Sequence, residues 1–203
     1  LPYTTLCRSV HLSLGGTRIR LRLSNEFGDG DLRIAAVHVA PSAGGDGIVP
    51  ARDALVRFRG DSAVAIPASE ARVSDAIDLP SAALTDLAIS IHVVTAPVGV
   101  TGHPGSRATS YLAAGNQTAA PSLPQAATME HWYLISRVDV ESGAAEAVVV
   151  LGNSIADGRG SGTDRNGRWP DALARRLQAD PRTTHVAVLN AGIGGNAVVR
   201  GGL

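Results

Sequence analysis

The sequence of 203 residues contains no lysine, because all 18 of its basic residues are arginines. The lack of lysine excludes a Gly-Lys-Ser/Thr phosphate-binding loop and Schiff-base chemistry. The single cysteine, Cys7, excludes an internal disulfide and a cysteine metal cluster, and we expect it to be a packing residue. The six histidines are scattered without metal-ligand spacing. We therefore expect neither a metal nor a cofactor.

An excess of charge of one sign is also missing. The 18 acidic residues balance the 18 basic ones, which argues against a nucleic-acid partner. No apolar run approaches the ~18–20 residues that cross a bilayer, so we expect no membrane span. The hydrophobic fraction of 44% is nevertheless that of a globular protein with a core.

Glycine and proline, by contrast, are frequent, and they separate short stretches of alternating apolar character in residues 1–145. This pattern predicts an all-β sandwich. The clearest candidate strands are Leu32–Ala40, Ala54–Arg57, Ser62–Ile66, Leu87–Val94, Arg107–Leu112 and Trp132–Val140.

A β-hairpin is predicted near the start of the chain. Residues 8–14 and 17–24 alternate between apolar and polar, and Gly15-Gly16 between them suits a primed two-residue turn. If the two segments pair across this turn, apolar pairs fall on one face and polar pairs on the other. The polar face carries an arginine stripe that is either a solvated strand face, which we favour, or an anion-binding site: Arg18, Arg20 and Arg22.

The pattern changes near residue 145, after a small polar hinge at residues 141–145. Residues 147–151 form a continuous apolar run, typical of a strand buried on both faces of a parallel sheet. An amphipathic helix is predicted from about Trp169 to Ala179, and a second buried strand over residues 185–189. Strand, helix and strand make a βαβ unit, and ligands bind at the carboxyl ends of such strands.

The loop after the first of these strands carries the candidate chemistry. It does not contain the Gly-x-Gly-x-x-Gly pattern of dinucleotide-binding proteins. Ser154 lies three residues past the strand, next to the small Gly152, where a hydroxyl can project into the binding crevice. Backbone N–H groups at Gly194 and Gly195, in the second loop, can approach the same point and form an oxyanion hole. The alternative is that Ser154 only caps the turn.

These residues carry a resemblance to a known family. Residues 149–155, Val-Val-Leu-Gly-Asn-Ser-Ile, resemble the first block of the SGNH/GDSL hydrolases, and residues 189–196, Leu-Asn-Ala-Gly-Ile-Gly-Gly-Asn, resemble the second. Trp169-Pro170 and the helix after it are similar to the segment between the blocks. The preceding region is similar to the β-sandwich domain of some bacterial members, notably at Arg22–Asn25, His103-Pro104 and Thr109–Tyr111.

The resemblance implies a fold and an activity. Residues 1–145 would form a jelly-roll-like β-sandwich, and residues 146–203 the start of a flavodoxin-like, three-layer α/β domain of the SGNH type. The activity implied is that of a serine esterase without metal or cofactor, which removes acetyl or other short acyl groups from a carbohydrate or similar small ester. The resemblance also implies a secreted or periplasmic protein.

It further implies roles for individual residues. Ser154 would be the nucleophile, and the N–H groups of Ser154 and Gly195 would form the oxyanion hole. Gly152 and Asn153 would support the loop, while Asn196 and His103 are candidate substrate contacts.

Two features depart from the family pattern. Asn153 stands where the family has Asp, so one acceptor is kept and the charge is lost. The Asp-x-x-His and Gly-x-Asn-Asp blocks of the family are absent, and a doubly wound sheet needs roughly 100 more residues. The sequence also lacks an initial Met, as after processing. We therefore expect a companion C-terminal polypeptide that completes the sheet and brings the catalytic Asp, His and Asn.

Two other functions remain open. An inactive carbohydrate-binding protein or pseudoenzyme would keep the sandwich and an inert serine loop. Two Phe, two Trp and three Tyr are, however, a thin supply for sugar stacking. A nucleotide-binding α/β protein is weakened by the glycine spacing and the absence of lysine.

Overall fold

The computed structural model describes residues 4–143, 146–197 and 199. The strands are β1 (Thr4–His11), β2 (Gly16–Ser24), β3 (Leu32–Gly44), β4 (Gly47–Ile48), β5 (Ala54–Leu55), β6 (Val64–Ile66), β7 (Ala71–Val73), β8 (Ile77–Ser81), β9 (Asp86–Thr95), β10 (Gly102–His103), β11 (Ser110–Ala114), β12 (Ala127–Met129), β13 (Trp132–Tyr133), β14 (Ile135–Glu141), β15 (Glu146–Gly152) and β16 (Val186–Gly192). The helices are α1 (Ser154–Asp157), α2 (Trp169–Ala179) and a 3₁₀ turn at Pro50–Arg52.

Two antiparallel sheets form most of the molecule. The larger has the order β12-β11-β1-β9-β3-β4, with β5 and β6 also paired to β3. The smaller has the order β14-β2-β7, with β8 paired to β2. Side chains of both sheets meet in one core, where Leu21 and Leu23 of β2 and Ile89 and Ile91 of β9 are fully buried. The predicted all-β sandwich is confirmed, and each of the six candidate strands contains or overlaps an observed one.

A second, smaller core covers the outer face of the larger sheet. Cys7 lies there beside Ala88 and Leu123 and is almost fully buried. Burial raises the pKa of its thiol, which keeps the group protonated. Cys7 is thus the packing residue that was expected.

The predicted hairpin between β1 and β2 is wrong. β1 pairs with β9 and β11, and β2 pairs with β14, β7 and β8, so the two strands belong to opposite sheets. Gly15 and Gly16 do not have the positive φ of a primed turn. They are small for another reason: a Cβ on Gly15 would lie 2.7 Å from the backbone nitrogen of Ala83. The glycine pair is a crossing between sheets that packs closely against the chain beside it.

The arginine stripe of β2 is a solvated face. Arg18 Nε lies 3.0 Å from a carboxylate oxygen of Glu141 on the neighbouring β14. Arg22 forms an ion pair of 2.8 Å with Glu26, which lowers the pKa of Glu26 to about 2. Arg20, between these two arginines, is exposed. Since exposed acidic partners already occupy Arg18 and Arg22, the solvated-face interpretation is favoured over an anion-binding site.

The βαβ unit is present as predicted. β15 and β16 are parallel, in register from Glu146 opposite Val186 to Gly152 opposite Gly192. Helix α2 covers one face of this pair, with Ala174 buried against Val150 and Val188. Arg175 and Arg176 of the helix are exposed, as expected of an amphipathic helix. Ala144 and Ala145 of the predicted hinge lie outside the described residues.

Two expectations for this region need correction. The described residues contain one βαβ unit and not a three-layer α/β domain. β15 is also not buried on both faces, because Val149 is 63% and Leu151 76% exposed, and Leu189 of β16 is 45% exposed. The cause is the single helix: α2 shields one face and leaves the other open. Neither described α-helix is long and apolar enough to cross a membrane.

Candidate functional site

The turn after β15 presents Ser154 as the first residue of α1. Asn153 is the N-cap, and its side-chain oxygen accepts a hydrogen bond of 3.1 Å from the backbone N–H of Ile155. The short helix ends at Gly158, whose φ of +103° is a left-handed cap. Capping is therefore done by Asn153, while the half-buried Ser154 hydroxyl makes no hydrogen bond to any of the described residues.

Two glycines let the loop after β16 lie directly against α1. A Cβ on Gly152 would come within 2.8 Å of the Ala156 side chain, and one on Gly192 within 2.5 Å of the Asp157 nitrogen. The backbone N–H of Ile193 donates to the Gly152 oxygen at 3.0 Å. The carboxyl ends of the two parallel strands are thus held together at the predicted place.

Gly195 has a φ of +80° and an exposed backbone. Among the described residues, no acceptor is hydrogen-bonded to its N–H group or to that of Ser154. The next residue, Asn196, turns its side-chain oxygen to the backbone N–H of Ala197 at 3.0 Å. Both predicted oxyanion donors are consequently available to a ligand, whereas Asn196 is engaged with its own loop.

An Asp–His pair lies one helical turn beyond Ser154, where sequence reasoning did not place one. Asp157 is 8% exposed, and its Oδ1 lies 2.7 Å from Nε2 of His103 in β10. Its Oδ2 accepts a bond of 3.0 Å from the N–H of Gly194. His103, a candidate substrate contact from the sequence, thus contacts the helix of the candidate nucleophile. Asp157 follows Ser154 by three residues, and this spacing is the one signal in the sequence that marks Asp157.

Two arginines meet at Ser106 behind this pair, and one of them, Arg168, joins the sandwich to the βαβ unit. Arg8 is 2% exposed, donates to the Ser106 hydroxyl at 3.3 Å, and lies 4.0 Å over the Trp132 ring. Burial, together with the positive charge of Arg168 nearby, lowers the pKa of Arg8 to about 10. Arg168 donates to the backbone oxygens of Ser106 and Asp157. Ser106 therefore accepts hydrogen bonds from both arginines, at its hydroxyl from Arg8 and at its backbone oxygen from Arg168.

The glycine-rich loop between α1 and α2 is fixed to the sandwich as well. Asp164 accepts bonds from the Thr109 nitrogen at 2.7 Å and from its hydroxyl at 2.6 Å. Asn166 donates to Asp86 at 3.2 Å, and Asp86 also pairs with His11 at 2.7 Å. The bond from His11 lowers the pKa of Asp86. Although rich in glycine, this loop is tied down by side chains of the sandwich.

A cleft of about 950 Å³ separates the two parts of the molecule. The polar residues that line it include His103 and Asp157, and the open face of the parallel sheet contributes Val149 and Leu189. Ser154 is not among the residues that line it. The candidate nucleophile therefore lies beside the cleft and not within it.

No histidine is hydrogen-bonded to Ser154, although all six lie in the described part of the chain. His11, His38 and His103 pair with aspartates, and His131 contacts the Pro104 carbonyl oxygen. Searching the described residues also finds no cluster of His, Cys, Asp or Glu that could hold a metal ion. Within the described residues, Ser154 has a loop and candidate oxyanion donors but no hydrogen-bonded general base.

Comparison with known proteins adds little to this geometry. No protein-family model matches the sequence, and no curated protein matches it. Among solved structures, the chain is similar to a family two carbohydrate esterase from Cellvibrio japonicus, with 11% identity and a TM-score of 0.25. The match covers 98% of this chain and 46% of that one, so the chain spans about half its length. A likeness at this TM-score carries no argument about fold or activity.

Proposed function

We propose that this chain forms part of a serine esterase of the SGNH/GDSL type, with Ser154 as the nucleophile. The observation that carries the proposal is the Ser154 hydroxyl, without a hydrogen-bond partner among the described residues, at the carboxyl end of a parallel strand. The N–H groups of Ser154 and Gly195 lie on the two adjoining loops and have no acceptor in the described part of the molecule. The resemblance of both loops to the blocks of that family supports the same role.

In the proposed reaction the Ser154 oxygen bonds to the ester carbonyl carbon, and its proton passes to a general base. The carbonyl oxygen becomes an oxyanion that the N–H groups of Ser154 and Gly195 stabilise, each by ~2.7–4 kcal/mol. The C–O bond to the alcohol then breaks, and the alcohol leaves with a proton. Water then bonds to the acyl carbonyl carbon and gives a proton to the general base. The bond from that carbon to the Ser154 oxygen breaks, Ser154 takes the proton back, and the carboxylic acid leaves.

The substrate class we propose is an acetylated or otherwise short-acylated carbohydrate or similar small ester. The support is the β-sandwich, which resembles the domain that precedes the hydrolase domain in bacterial members of the family. A secreted or periplasmic location is proposed on the same ground.

We further propose that a companion C-terminal polypeptide completes the α/β domain. Its Asp–His pair would supply the base that Ser154 lacks among the described residues, and its Asn a third oxyanion donor. The open apolar face around Val149, Leu151 and Leu189 supports this proposal, because a parallel strand is normally covered on both faces. A parallel strand added at β15 would bring a crossover helix onto such a face.

One observation favours a second candidate, an inactive carbohydrate-binding protein. Ser154 has no hydrogen-bonded histidine in the described part of the chain, which is the arrangement expected of an inert loop. The two functions differ in whether Ser154 can be acylated.

A fluorophosphonate probe tests this difference in the protein with its companion polypeptide present. We expect covalent labelling on Ser154 and its loss in Ser154→Ala. Ser161→Ala is the matched control, since Ser161 lies shortly after α1 but donates its hydroxyl to the Gly158 oxygen at 2.6 Å. Labelling should survive in that variant. A complete protein that is neither labelled nor able to hydrolyse p-nitrophenyl acetate would leave the carbohydrate-binding function.

A further inference from the structure

Asp157 is a junction between three separate parts of the chain. Its Oδ1 lies 2.7 Å from Nε2 of His103 in the sandwich, and its Oδ2 accepts from the N–H of Gly194 at 3.0 Å. Its backbone N–H donates to the Asn153 oxygen at 3.0 Å, within the turn that carries Ser154. One carboxylate thus connects the sandwich, the turn of the nucleophile and the loop after β16.

Close packing fixes where this carboxylate lies. A Cβ on Gly105 would come within 2.6 Å of Asp157 Oδ2, and the backbone of Gly192 leaves no space for one beside the Asp157 nitrogen. The side chain is also almost fully buried. Buried carboxylates need their hydrogen bonds, so neither partner can leave without a cost in free energy.

The bond to Gly194 completes a pattern in the loop after β16. The N–H of Ile193 is bonded to the Gly152 oxygen, that of Gly194 to Asp157, and that of Asn196 to the Ile193 oxygen. The N–H of Gly195 alone among these four consecutive residues has no acceptor within the described residues. Because the N–H groups of Gly194 and Asn196 are both hydrogen-bonded, the orientation of the Gly195 N–H group between them is fixed before a ligand binds. Such a fixed orientation is what a preorganised donor requires.

We propose that His103 and Asp157 are positioning residues for the Gly195 donor, so that the sandwich is a working part of the acyl-binding site. His103 holds Asp157, Asp157 holds Gly194, and Gly194 sets the direction of the next peptide. Neither side chain is assigned contact with the ester. This inference rests on the proposed esterase function, and it adds the route by which the sandwich influences the reaction.

The test compares His103→Ala with His103→Gln in the protein with its companion polypeptide. Glutamine keeps an N–H donor near the position of Nε2, whereas alanine removes it. His131→Ala is the matched control, because the His131 side chain bonds to the Pro104 carbonyl oxygen, packs against the Tyr133 ring and has no hydrogen bond to Asp157 among the described residues. The readouts are amide hydrogen exchange at Gly194, the rate of phosphonate labelling of Ser154, and kcat and KM for a short ester.

We expect His103→Ala to speed exchange at Gly194 and to slow labelling, each by about tenfold or more, as for loss of a hydrogen bond to a charged group. kcat should fall with KM almost unchanged, since an oxyanion donor acts in the transition state. His103→Gln should recover most of both rates, and His131→Ala should leave them unchanged.

Two negative results have different meanings. If the parent protein is labelled, but exchange and labelling are the same in His103→Ala, the positioning role is wrong and the esterase function stands. If the parent is never labelled, the proposed function itself fails, whatever the exchange data show. A general loss of folding in His103→Ala would speed exchange throughout the sandwich and would not be reversed selectively at Gly194 by glutamine, which also counts against the proposal.

Discussion

At the scale of single residues, the turn that carries Ser154 is capped through one hydrogen bond to Asn153. Its side-chain oxygen accepts one bond, from the Ile155 N–H, at the start of a four-residue helix. Aspartate in this place would accept the same bond with a full charge, and charge-assisted bonds are about twice as strong as neutral ones. The acceptor oxygen is what the fold of the turn requires, and a charge on it would make the hydrogen bond from Ile155 stronger.

We predict that Asn153→Ala lowers the free energy of unfolding by about 1 kcal/mol, the usual cost of losing an N-cap. Asn153→Asp should keep or slightly raise it, and should raise the rate of p-nitrophenyl acetate hydrolysis. Urea unfolding and initial-rate measurements check the two parts. Equal stability of all three proteins would show that the hydrogen bond from Ile155 makes no net contribution to the free energy of unfolding.

At the scale of elements, the loop from α1 to α2 owes its order to carboxylates. Asp164 binds the backbone and hydroxyl of Thr109, and Asp86 is shared by His11 and Asn166. The hydrogen bond from His11 favours the charged form of Asp86 and lowers its pKa. The attachment of the loop to the sandwich is therefore sensitive to acid.

The depressed pKa of Asp86 gives the sign of this sensitivity. A carboxyl with a lower pKa in the folded state contributes stability that is fully present above its unfolded pKa of about 3.9 and is lost as the pH falls through its folded pKa. We predict that Asp86→Asn unfolds more easily than the parent at pH 6 and that this difference shrinks towards pH 3. Urea unfolding across this pH range measures it. Asp31→Asn changes an exposed loop carboxylate and is the control. Its stability to urea should equal that of the parent at every pH.

At the scale of the whole molecule, the open face of β15 and β16 is the largest departure from a self-contained fold. Leu151 and Val149 are mostly exposed, and Ile155 and Ile193 beside them are more than half exposed. Contiguous apolar surface of this kind marks an interaction site and is prone to aggregation when uncovered.

We predict that this chain alone associates with itself and that Leu151→Asp returns it to a monomer. Light scattering after size-exclusion chromatography measures the mass. Val98→Asp places the same charge at a valine that is 98% exposed in a loop of the sandwich, and it should leave association unchanged. Monomeric behaviour of the parent chain at high concentration would contradict the prediction.

The sequence predicts most of what local pattern controls and less of what depends on distant partners. The period of helix α2, the parallel strands and the Asn153 cap all follow from neighbouring residues. The pairing of β1 with β9 does not, because alternation alone fits any partner with an apolar face. The His103–Asp157 bond joins residues 54 apart in the chain, and only the packed fold brings them together.

The crossing at Gly15-Gly16 has a consequence for the order in which the molecule assembles. β1 pairs with residues 86–93 and 110–114, and β2 pairs with residues 71–73, 77–81 and 135–141, so the first two strands pair with segments that are distant in the sequence. A growing chain cannot complete the pairing of β1 until β11 has been made, or that of β2 until β14 has been made. Contacts of such high sequence separation slow folding to milliseconds or seconds and leave unpaired strand edges exposed meanwhile. The order of the first two strands therefore depends on segments that are made much later.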